Sequence, residues 1–141
     1  MGLRAAILGA AVAAALPGIL RAAPAAEVPP CLVLPPVEEV APGDMPPLLR
    51  SALAREVGPF ALPGQDFDLT DVVRTGVRRR LLWLRRRGTR WIAVFERGGH
   101  GYDNPFAVYE MGLDGQSIAG VRGGVAYPAS VCQITERELW R

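Results

Sequence analysis

Lysine is absent from the 141 residues, histidine occurs once and cysteine twice. No Gly-x-x-x-x-Gly-Lys phosphate loop is present, and no glycine-rich turn opens a helix to hold a dinucleotide. Two cysteines and one histidine do not make a zinc set. The run Asp66-x-Asp68-x-x-Asp71 lacks the glycine and terminal glutamate of a calcium loop. No metal or other cofactor is implied. Ser130 stands in Pro128-Ala129-Ser130-Val131, without the Gly-x-Ser-x-Gly elbow of a hydrolase nucleophile. These gaps favour a protein without enzymatic activity.

A long apolar run is also missing. Ala5 to Leu20 is uncharged for 16 residues and is broken near its end by Pro17-Gly18, whereas a membrane-spanning helix needs about 20 apolar residues. Arg4 precedes the run, and Ala22-Ala23-Pro24-Ala25-Ala26 follows Arg21 with small residues where a signal peptidase reads. Residues 1–25 are therefore expected to be a signal peptide cut between Ala25 and Ala26, which sends the chain to the periplasm or outside the cell. No transmembrane span is expected after processing. Val28-Pro29-Pro30 before Cys31 is unlike the small apolar run that a lipid-attachment cysteine needs.

Removing residues 1–25 takes Arg4 and Arg21 and leaves 14 arginines against 14 acids. A net charge of zero gives no general case for nucleic acid. In an exported chain the lone pair Cys31 and Cys132 most simply forms one disulfide.

What remains reads as one domain preceded by a proline-rich stretch. Eight of the 13 prolines fall between Pro24 and Pro47, so residues 26–44 are expected to run extended. Within them Cys31-Leu32-Val33-Leu34 is expected to be an edge segment pinned by the disulfide. A single domain then covers 45–141. Leu48, Leu49, Ala52, Leu53 and Val57 make one apolar stripe, which predicts a helix over 45–57 with Asp44 as its cap and Gly58-Pro59 as its stop.

Strands are expected at 67–73, 81–84 and 91–95. The last two are joined at Gly88-Thr89, with Trp83 opposite Val94, Leu82 opposite Phe95, Leu84 opposite Ala93 and Arg87 opposite Arg90; because the two arginines repel, a turn shifted by one residue is the alternative. A second hairpin runs from 106–111 through Asp114-Gly115 into 117–121. Ser130 to Trp140 suits either strand or helix. The expected class is α+β, with one N-terminal helix packed on a meandering antiparallel sheet of four to six strands.

Two stretches could carry function. Residues 74–97 hold nine arginines and one acid. Arg85, Arg86, Arg87 and Arg90 with Trp83 and Trp91 are candidates for an anionic partner, an envelope component rather than nucleic acid. Successive strand residues point to opposite faces, so each arginine triplet is split rather than gathered into one patch. The other stretch is Gly98-Gly99-His100-Gly101-Tyr102-Asp103, where His100 with Tyr102 or Asp103 could serve a small hydrolase or lyase. The preferred reading is a small exported, disulfide-stapled binding or interaction module whose ligand or protein partner the sequence does not name.

Overall fold

The structure, a computed structural model, describes residues 31–70, 76–99 and 103–141. The expected signal peptide, residues 71–73 of one expected strand, His100 and Tyr102 lie outside the described residues. Five strands form one antiparallel sheet in the order β1 (Glu38–Val40), β2 (Arg79–Arg87), β3 (Arg90–Arg97), β4 (Asn104–Met111) and β5 (Ile118–Ala126). Two helices complete it, α1 (Pro47–Val57) between β1 and β2 and α2 (Val131–Trp140) after β5. The class is α+β.

The expected single helix is corrected to two, one on each face of the sheet. Alternation in the strands requires this. Trp91, Ala93 and Phe95 of β3 and Ala107, Tyr109 and Met111 of β4 point to one side, where Leu49, Ala52 and Leu53 of α1 cover them. Ile92, Val94, Phe106 and Val108 point to the other side, under Val131 and Leu139 of α2. A sheet apolar on both faces needs a cover on both. Leu49 and Leu53 are wholly buried, and each contributes about 2 kcal/mol of transfer free energy.

Helix α1 starts at Pro47, two residues later than the stripe predicts, and Asp44 does not cap it. Asp44 instead closes a single 3-10 turn, Pro42–Asp44, its amide donating to Ala41 O at 2.9 Å. Pro46 and Pro47 have no N–H to offer, so the helix start has fewer orphan donors for a cap to satisfy.

The β2–β3 hairpin has the expected partners Trp83–Val94, Leu84–Ala93 and Arg87–Arg90, but Phe95 faces Leu81 rather than Leu82. A β-bulge between Leu81 and Trp83 accounts for the difference. The extra residue lets Leu81 and Leu84 both face α1 while Leu82 and Trp83 face α2. At the turn only Gly88 has positive φ, 58°, as a type II′ turn with glycine first requires.

Two other expectations are revised. Residues 67–70 form no strand. Asp68 N donates to Val77 O at 2.8 Å, and Leu69 O accepts from Gly99 N at 3.3 Å, so the segment is held by loops rather than by a ladder. The edge strand is β1, not residues 31–34. The carbonyl of Leu34 accepts from Val37 N at 2.9 Å in a turn through Pro35-Pro36, and these prolines have no donor for a ladder. Between β4 and β5, Asp114-Gly115 sits inside a connection over 112–117. There Asp114 Oδ1 accepts from Gln116 N at 2.9 Å and Gly115 takes φ 69°.

Candidate functional site

Cys31 and Cys132, 101 positions apart in sequence, form a disulfide with Cα atoms 5.4 Å apart. Cys132 lies in the first turn of α2. The bond therefore fastens residues 31–37 alongside that helix as a strap. Between strap and helix is a cleft of about 300 Å³, with Leu32, Leu34, Val37, Leu139 and Trp140 among its apolar walls and Arg85 reaching into it from the sheet.

Arg85 owes its position to alternation. It stands opposite Ile92 on β3 and Glu39 on β1, on the α2 side of the sheet. Its guanidinium lies 5.1 Å from the Trp83 ring, and the residue is only 5% exposed. One nitrogen, Nη2, donates to Glu39 Oε2 at 3.3 Å and to Cys31 O at 3.4 Å. The Nε–H is buried with no hydrogen-bond partner. Glu39 is itself more than half exposed, which screens its charge.

The remaining members of the arginine–tryptophan set are spread over both faces. Arg86 pairs with Glu38 at 2.7 Å and lies 5.6 Å from the Trp91 ring, while Trp91 itself belongs to the α1 side of the core. Arg87 and Arg90 turn to the α2 side. Arg87 donates to Leu139 O at 3.2 Å and stacks 4.0 Å from Trp140. Arg90 donates to Glu138 O at 2.6 Å and pairs with Glu110 at 2.8 Å. Two arginines thus serve the free carbonyls at the C-terminal end of α2, where positive charge is favoured. That arrangement also explains how Arg87 and Arg90 stand opposite each other: their heads part toward different acceptors. A shallower recess beside them, lined by Arg87, Arg90, Glu110 and Arg141, offers donors already engaged.

In the glycine-rich loop, Asp103 is described and His100 and Tyr102 are not. Asp103 is buried, pairs with Arg97, and keeps its Oδ1 without a hydrogen-bond partner. The local order is set by Arg78, which donates to Gly98 O at 3.4 Å and Thr70 O at 3.3 Å.

The sequence reading missed the acids that meet the arginines. Glu138 is the clearest, a wholly buried residue whose Oε1 lies 3.5–3.6 Å from Arg122, Arg137 and Arg141. Arg137 and Arg141 are its neighbours in sequence, but the burial that gathers them with Arg122 of β5 around one carboxylate leaves no local signal. Elsewhere, Tyr109 donates its hydroxyl to Glu56 of α1; burial first, and then the Glu56 hydrogen bond and charge, push its pKa up. Among the described residues no group of three His, Cys, Asp or Glu side chains could hold a metal ion, and no helix is long and apolar enough to cross a membrane. No protein-family model, no curated protein and no solved structure matches this chain.

Proposed function

We propose that the chain is exported, loses residues 1–25, and works in the periplasm or outside the cell as a non-enzymatic binding module that takes a small ligand in the cleft beneath its disulfide strap. The observation that carries this reading is the cleft itself, apolar walls closed by a covalent bond around one buried cation. Binding sites are concave and mostly apolar, with few polar groups that fix orientation, and this cleft has that make-up. A disulfide is compatible with an oxidising compartment and would persist there. The strap also makes sense of the proline-rich segment, since a chain with fixed φ loses less entropy when it is ordered beside a helix.

Of the six arginine and tryptophan candidates, Arg85 is the one that lines the cleft. The anionic envelope component expected from the sequence is thereby narrowed to a ligand that can reach one guanidinium rather than a polyanion on a basic face.

The test is the intact mass of protein recovered from the periplasm, before and after reduction and thiol alkylation, followed by mass measurement under non-denaturing conditions. The expected result is loss of residues 1–25, two thiols labelled only after reduction, and a bound small molecule released on reduction. Full-length mass with two free thiols would overturn the export and the strap together. Processed, oxidised protein that neither carries nor takes up any small molecule would overturn the binding role alone.

A further inference from the structure

We propose that the cleft selects a small amphipathic monocarboxylate, its carboxylate on Arg85 and its apolar body along Leu32, Leu34, Leu139 and Trp140. This rests on the binding reading above and names the ligand class for the same site.

The charge comes first. A buried guanidinium has five N–H donors and needs them met. Arg85 has its two hydrogen bonds through Nη2 alone, at 3.3 and 3.4 Å, and its buried Nε has none. Nε and Nη2 form the fork that a carboxylate grips with two parallel bonds. Glu39 occupies one prong from the solvent side, with 57% of its side chain exposed. A ligand carboxylate in the cleft would compete with Glu39 and displace it into water at small cost.

The apolar part follows from the strap. Leu32 is 83% exposed and Leu34 56% exposed, two large aliphatic side chains held in water beside a cleft that they help to line. A ligand body lying there would cover them. The volume limits its size. At ~30 Å³ per water-sized group, about 300 Å³ holds about ten non-hydrogen atoms, the size of octanoate. Glu136, exposed on α2 and also lining the cleft, opposes a second negative charge on the ligand. That points to a monoanion rather than a dicarboxylate.

Octanoate, octanol and octanedioate are the probes, titrated into the purified oxidised protein and followed by calorimetry and by the fluorescence of the tryptophans beside the cleft. Octanoate is expected to bind at a single saturable site, roughly tenfold or more tighter than octanol, with octanedioate weaker than octanoate. Glu39→Gln should tighten octanoate several-fold by removing its competitor, and Leu34→Asp should weaken it. Arg85→Met should abolish the preference for octanoate over octanol. Should that variant fail to fold, the two solvent-exposed changes carry the test alone. Equal binding of octanoate and octanol would overturn the carboxylate assignment and leave the cleft as a binding site. No binding of any of the three would overturn the monocarboxylate assignment, and the binding role falls with it only if the native mass also shows no bound small molecule.

Discussion

Replacing both Cys31 and Cys132 by serine should cost more stability than any single side chain in the core. The bond joins residues 101 apart, and forbidding a loop of that length to open in the unfolded chain is worth about 4.7 kcal/mol in the chain-entropy description. A domain has only about 5–15 kcal/mol in total. Without the bond, the strap and β1 are held by three residue pairs between β1 and β2, by Val37 and Val40 packed on the core, by the Glu38 and Glu39 ion pairs and by the Arg85 contact with Cys31 O. All of these are present with or without the disulfide and so do not offset its loss. In urea the midpoint should fall by about 2 M for a slope of ~2 kcal/mol/M, and the melting temperature by about 15 °C. Amide exchange should separate the local consequence from the global one. Protection of Val40 in β1 should fall further than that of Ile92 in β3, since β1 has lost its tether as well. A stability loss below ~1 kcal/mol, at unchanged slope, would refute the reasoning: the bond would then be constraining a chain already compact when unfolded.

Three further outcomes follow from particular contacts. A methyl group at Gly124 would stand 2.8–2.9 Å from the Phe106 ring, whereas one at Gly120 would meet Tyr109 at an ordinary 3.7 Å. Gly124→Ala should therefore destabilise by about 1–3 kcal/mol and Gly120→Ala by much less, as read from urea midpoints; equal effects would contradict the packing. Burial and then Glu56 raise the Tyr109 pKa, so its contribution is complete below the unfolded value of about 10 and is lost as pH rises towards the folded one. Wild type should lose stability above pH ~10 more steeply than Tyr109→Phe, and near-ultraviolet absorbance should show a phenol that ionises only on unfolding; identical alkaline profiles would sink this. Arg90→Met should cost about 2 kcal/mol through the lost Glu110 pair and Glu138 carbonyl bond, with helicity of α2 falling in the circular dichroism spectrum; an unchanged spectrum and midpoint would show that the last turn of α2 does not depend on Arg90.

The parts of the fold that were legible in the sequence are those whose pattern is local. Leu49, Ala52 and Leu53 recur at helical spacing and are the buried residues of α1. The apolar runs around Gly88 favour the pairing of Trp83 and Leu84 with β3 that the hairpin adopts, over the turn shifted by one residue. Leu82 was misplaced because a bulge is an extra residue on one strand, invisible until the partner is known. Helix α2 was ambiguous for a different reason. Two of its four buried positions are Thr135 and Glu138, so a hydropathy reading sees half a stripe. Thr135 satisfies its hydroxyl on Val131 O at 2.7 Å, and Glu138 depends on three arginines drawn from β5 and from its own helix and end. At the candidate site Arg85 was legible as a cation beside tryptophan. Its burial was not, because the strap that covers it is 54 residues distant along the chain.

Strand β5 has one more lesson, about how sequence change is limited. Three of its residues are glycines, Gly120, Gly123 and Gly124, and read alone it would pass for a weak strand. On the neighbouring strand the residues opposite two of them are aromatic, Tyr109 facing Gly120 and Phe106 facing Gly124. The rings lie over main chain that has no side chain of its own, so β4 supplies the packing that β5 lacks. Position 124 can then enlarge only if position 106 shrinks in step, while position 120 has room for a methyl group. The two strands carry a single allotment of volume, entered almost wholly on one of them, and an enlargement at position 124 must be inherited together with a change at position 106.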